Sequence, residues 1–108
     1  MKIVGVKDVT SDTWESEVLK TDGLVMVVFW AGWCEPCIEL NRTIEKMAAE
    51  CSGKVKIVRL NIDESGDIAS KYRVSIVPTT MFFVDGQKCR EIITNVSREL
   101  LEETVNSI

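Results

Sequence analysis

The sequence predicts an α/β protein built on one mixed β-sheet with helices on both faces. Apolar residues switch between strand-like and helix-like spacing in the order β-α-β-α-β-α-β-β-α. The longest apolar run, Leu24-Val25-Met26-Val27-Val28-Phe29-Trp30, is continuous rather than alternating, which marks a central strand covered on both sides. Near the C-terminal end two short runs flank Asp85-Gly86, a hairpin turn signal, so the last two strands must be antiparallel. The alternation ahead of them implies right-handed parallel crossovers.

After a short first strand, Thr10 to Asp12 supply capping residues. Trp14, Val18 and Leu19 then give a short helix its apolar face. Asp22-Gly23 is a turn signal ahead of the central strand. In the next helix Cys37, Leu40, Ile44, Met47, Ala48 and Cys51 recur at steps of three and four, forming one stripe that Ser52-Gly53 ends. Val55 to Leu60 alternates as a strand, and a short helix covers Glu64 to Lys71. Thr79 to Val84 and Lys88 to Ile93 are the arms of the hairpin. Ser97 caps a final helix with Leu100, Leu101, Val105 and Ile108 on one side.

With 108 residues, 45% hydrophobic and 28% charged, the chain suits one domain, residues 1–108, with its own core. A net charge of −4 and the lack of a basic block argue against nucleic acid or an anionic membrane as partner. No apolar run approaches the roughly 20 residues of a membrane span, and charge breaks up the N-terminal apolar stretch where a signal-peptide core would stand. These features predict a cytoplasmic protein, with monomer as the default. Histidine is absent, which excludes Ser-His and Cys-His catalysis and every His-ligated metal site.

The chemistry must therefore rest on thiols, carboxylates or lysines, and Cys34-Glu35-Pro36-Cys37 stands out. Two thiols three residues apart in the first turn of a helix share a face. The helix N-terminus offers unpaired N–H groups and a positive dipole end, both of which favour a thiolate. A reversible dithiol is the leading interpretation. A permanent structural bridge gains little from closing so short a loop. Zinc or iron–sulfur ligation would want a second such pair, which Cys51 and Cys89 do not form. We expect no metal and no cofactor. Cys51 fits a small core residue on the helix stripe, and Cys89 falls in the return strand, facing in or out.

Phe29-Trp30-Ala31-Gly32-Trp33-Cys34-Glu35-Pro36-Cys37, Leu60-Asn61-Ile62-Asp63, Val77-Pro78-Thr79 and Asp85-Gly86 together resemble the thioredoxin family over nearly the whole chain. The resemblance implies a five-stranded mixed sheet with four helices, and a cis Pro78 packed beside the dithiol. It implies a protein disulfide reductase, acting on disulfide-containing target proteins and recharged by a thioredoxin reductase. Cys34 would attack, and Cys37 would resolve the mixed disulfide. Pro36 would limit the freedom of the intervening turn. Trp33, Val77, Thr79 and Thr94 would line the target groove, with the backbone of Val77 as its hydrogen-bonding edge.

Departures from the family pattern cluster around the motif. Val28 stands where the family carries a buried aspartate implicated in moving the proton of the second cysteine. Glu35 replaces a glycine. At roughly 7 Å and a dielectric of about 40, its charge opposes a Cys34 thiolate by about 1 kcal/mol. Ile38 replaces a lysine, Thr94 a glycine and Arg42 a helix-kinking proline. Glu35, Ile38 and Thr94 are expected to retune partner choice more than the reaction.

Overall fold

The computed structural model describes residues 5–50, 54–94 and 96–108. Five strands, β1 (Lys7–Val9), β2 (Leu24–Trp30), β3 (Lys56–Asn61), β4 (Thr79–Val84) and β5 (Gln87–Ile93), form one sheet in the order β1-β3-β2-β4-β5. Three α-helices, α1 (Glu35–Glu50), α2 (Gly66–Lys71) and α3 (Arg98–Ser107), join a wider helical turn at Glu15–Leu19, so the described residues hold four helices. The continuous apolar run is the central strand. Val25, Val27 and Phe29 enter a core with Trp14, Val18 and Ile68. Met26 and Val28 enter a second core with Leu40, Ile44 and Leu101. Helices thus cover both faces, as the run requires.

Strand direction departs from the crossover expectation at one place. β1 and β2 are both parallel to β3, but β4 is antiparallel to β2. The cause is length. β3 ends at Asn61 and β4 starts at Thr79, at the same end of the sheet, where Phe29 pairs with Thr79 and Trp30 with Asn61. The six residues of α2 span only about 9 Å, too little to carry the chain back along a strand of about 20 Å. One end of the sheet therefore collects the exits of β2, β3 and β5 and the entry to β4.

Local expectations divide. Ser97 caps α3, its hydroxyl accepting the Leu100 N–H at 3.2 Å. Thr10 to Asp12 do not cap the first helix. Ser11 instead spans to α2, its N–H donating to Ser65 Oγ at 3.1 Å and its hydroxyl to Asp67. That first helix is one wide turn closed by an i→i+5 bond, Lys20 N–H to Glu15 O at 2.8 Å. Leu100 and Ile108 each remain 43% exposed, and Leu101 and Thr104 form the buried side of α3. The predicted core role of Cys51 and the Ser52-Gly53 stop lie outside the described residues. Cys89 is exposed and is the extra residue of a bulge in β5, where Phe82 pairs with Arg90 but Phe83 with Lys88.

Candidate active site

The dithiol sits where β2 hands the chain to α1. Cys34 N–H bonds to Ala31 O at 3.2 Å, closing the turn, and Cys34 O accepts the Ile38 N–H at 3.3 Å. Cys34 thus occupies the capping position of α1, and its sulfur accepts the N–H of Cys37 at 3.2 Å. A capping sulfur on an otherwise unpaired helix donor, at the positive end of a 16-residue helix, is stabilised as an anion. The two cysteines are bridged, with Cα atoms 5.3 Å apart. Pro36 lacks an N–H, which costs nothing in the first turn, where such groups have no helical partner.

Access to the two cysteines differs little. Cys34 is only 5% exposed and Cys37 fully buried, among Ala31, Trp30, Ile62 and Val77. The Val77–Pro78 bond is cis, and Val77 O lies 3.6 Å from Cys34 Sγ. Pro78 O accepts the Thr94 N–H at 2.8 Å, tying the end of β5 to the same loop. Trp33 is 68% exposed, its indole N–H donating to Asp63 Oδ2 at 3.0 Å. Asp63 is held by an Asx turn in which Asn61 Oδ1 accepts its N–H at 2.8 Å.

Thr79 does not line the groove. It is buried, and its hydroxyl donates to Ile76 O at 2.6 Å, bracing the loop from behind. Ile76 and Ile93, each 51% exposed, provide the bulky apolar surface at this end of the sheet instead. Sequence reasoning passed over both. The signal available was an apolar residue directly ahead of Val77-Pro78 and another at the end of the return strand. Glu35 and Ile38 lie on the exposed side of α1. Thr94 is exposed with φ at +77°, a conformation that explains why glycine suits the position.

Val28 is fully buried, with Arg59 opposite it on β3 and Thr80 opposite it on β4. Arg59, its side chain 18% exposed, donates from Nε to Asp8 Oδ1 at 2.9 Å and lies over the Trp30 ring at 5.2 Å. A surface cavity of about 320 Å³ lies at the other end of the sheet between Gly23, Leu24 and Lys54 to Ile57, and no cysteine lines it. Among the described residues, no three His, Cys, Asp or Glu side chains gather as a metal would require.

A dithiol capping a helix beside a cis-proline loop, on a five-stranded mixed sheet, defines a thiol–disulfide exchange module. The thioredoxin family model matches residues 5–107, and the chain belongs to that family. It is 41% identical over 102 residues to a thioredoxin of Rickettsia bellii, covering 94% of this chain and 97% of that one. It is 38% identical over 97 residues to thioredoxin 1 of a Nostoc species, covering 90% and 91%. Thioredoxin M4 of Arabidopsis thaliana, a chloroplastic protein, is 38% identical over 102 residues, 94% of this chain but 53% of the plant protein. The chain spans somewhat over half the length of the chloroplastic relatives of this group.

Proposed function

We propose that the protein is a protein disulfide reductase that cycles Cys34 and Cys37 between dithiol and disulfide. The observation that carries this reading is the Cys34 sulfur, capping α1 next to Val77 O under an apolar rim. In the reduced state the Cys34 thiolate attacks a target disulfide, and one target sulfur leaves with the electron pair and takes up a proton. Cys37 gives up its proton and attacks Cys34 Sγ. The second target sulfur leaves, and the internal disulfide re-forms. Two electrons pass to the target, and no cofactor enters. An extended target segment would lie along Val77, its apolar side chains on Trp33, Ile76 and Ile93.

Insulin-disulfide reduction driven by dithiothreitol tests the reading, with Cys34→Ser as blank. Acceleration lost in the variant supports it. A rate equal to the blank overturns it in favour of a non-redox binding module that shares the groove.

The exposed Glu35, Ile38, Ile76 and Thr94 favour a specialised carrier served by a dedicated reductase. Efficient turnover with a generic NADPH-dependent thioredoxin reductase at micromolar concentration would count against that refinement. The reading includes a cytoplasmic monomer free of nucleic acid and membrane, supported by the net charge of −4. No helix among the described residues is long and apolar enough to cross a membrane. Sedimentation and cell fractionation test these two points.

A further inference from the structure

Among the described residues, three buried side-chain polar atoms lack a hydrogen-bond partner: Trp14 Nε1, Asn41 Oδ1 and Thr80 Oγ1. Trp14 belongs to the opposite core. The other two lie on the face of the sheet that α1 covers. Asn41 is four residues after Cys37 on α1, so the two side chains are neighbours on one helix face, their Cβ atoms about 5–6 Å apart. Thr80 shares its sheet face with Phe82, in the core beneath α1, and stands opposite Val28. It is the first position of β4 after the cis-proline loop whose side chain enters that core, and it is fully buried. Leaving such atoms unpaired costs about 1–3 kcal/mol each, so two of them on the sheet face where Val28 replaces a carboxylate call for a physical reason.

We propose that Asn41 and Thr80 are positioning residues for Cys37, forming a neutral polar layer in place of the absent carboxylate: Asn41 orients the thiol towards Cys34, and Thr80 assists its ionisation. This rests on the reductase reading above. In the mixed disulfide, Cys37 is a thiol whose S–H donates to Asn41 Oδ1. As the proton leaves for solvent, the Thr80 hydroxyl donates to the developing thiolate, directly or through one internal water. The thiolate then attacks Cys34 Sγ. The Cys34–target bond breaks, and the target sulfur leaves with the electron pair and is protonated. Once Cys37 is bridged it has no proton to give and is a poor acceptor, which is why both groups stand unpartnered in the disulfide state. Each is lined up for a partner that exists only in the other half of the cycle.

The test isolates the second step. In a Cys51→Ala, Cys89→Ser background, the reduced protein meets one equivalent of dithiobis(nitrobenzoate). Attack by Cys34 releases the first thionitrobenzoate, and attack by Cys37 releases the second. The Asn41→Leu, Thr80→Val double variant should slow the second release about tenfold at neutral pH, the worth of one hydrogen bond to an ionising group. Its pH midpoint should rise, because the bond to the thiolate lost with Thr80 outweighs the weak S–H bond lost with Asn41. The first release should stay within about twofold, and Thr80→Ser alone should keep the wild-type rate and midpoint. A double variant with unchanged second release overturns the proposal. So does a second release slowed with no change in midpoint, which reports packing alone. The assay needs no protein target. Failure of wild type on insulin would sink the reductase reading, whereas failure here sinks only the polar layer.

Discussion

Thr94→Gly should make this protein more stable. Three non-glycine residues among those described have positive φ: Arg73 at 57°, Asp85 at 49° and Thr94 at 77°. Aspartate tolerates that region and arginine is unbranched, but Thr94 is β-branched and pays the full steric penalty. The left-handed conformation costs an L-residue roughly 1–2 kcal/mol. Glycine returns about 0.5–1 kcal/mol of that through the greater freedom of its unfolded chain. The net gain is about 0.5–1 kcal/mol, or about 2–6 °C in Tm for a domain of this size. The bond from the Thr94 N–H to Pro78 O at 2.8 Å uses only backbone atoms and survives the change. Urea and thermal melts of reduced and oxidised protein measure the effect. Thr94→Ala is the control, because it keeps a Cβ and should stay within about 0.5 kcal/mol of wild type. A glycine variant no more stable than wild type, or an alanine variant as stable as the glycine one, would refute the strain argument.

Gly86→Ala should be strongly destabilising, by about 2–4 kcal/mol in urea melts, because φ is +83° and a Cβ would meet Leu19 O at 2.2 Å. Glu17 accepts hydrogen bonds from Lys56 and Lys7, which hold its carboxyl down at about 2 against an ordinary 4.5. Its stabilisation is complete above pH 4.5 and lost as pH falls towards 2, so Glu17→Gln should flatten the stability–pH curve across that window. With Lys7 largely in solvent, the loss at neutral pH should be about 1 kcal/mol. Val28→Asp should cost roughly 1–4 kcal/mol of stability by burying a carboxylate, and should speed resolution of the mixed disulfide. An unchanged resolution rate would leave Val28 a packing residue only.

Much of the fold was legible because it follows from short-range patterns. Leu24 to Trp30 has no polar face, so it had to be central. Asp85-Gly86 between two apolar runs had to turn, and indeed Asp85 Oδ1 accepts the Gly23 N–H at 2.7 Å to seal that end of the sheet. What escaped depends on where chain ends meet in space. The direction of β4 is set by a helix too short to cross back. Leu100 and Ile108 stay outward because α3 turns Leu101 and Thr104 inward instead, Leu101 into the core beneath α1. Thr79 leaves the groove lining because the loop turns its hydroxyl back onto the Ile76 carbonyl. In each case periodicity gives the residue a face but not the neighbour that occupies it.

The same distinction governs the site. Cys34, Cys37 and Pro78 announce themselves by type and spacing, and a substitution such as Val28 is visible as a missing charge. Whether anything compensates for that charge is not visible, because asparagine on a helix and threonine in a strand are ordinary residues. Their significance lies in an absence of partners that only the folded arrangement shows. A carboxylate in this layer would titrate and would need desolvation balanced on every cycle. A carboxamide and a hydroxyl stay neutral at every pH at which the protein folds, so the one can orient the Cys37 thiol and the other favour its thiolate without adding a competing proton site. The substitution therefore exchanges a base for a fixed dipole. It should leave the resolution step with one titration, that of Cys37 itself, where a buried carboxylate would impose two coupled ones.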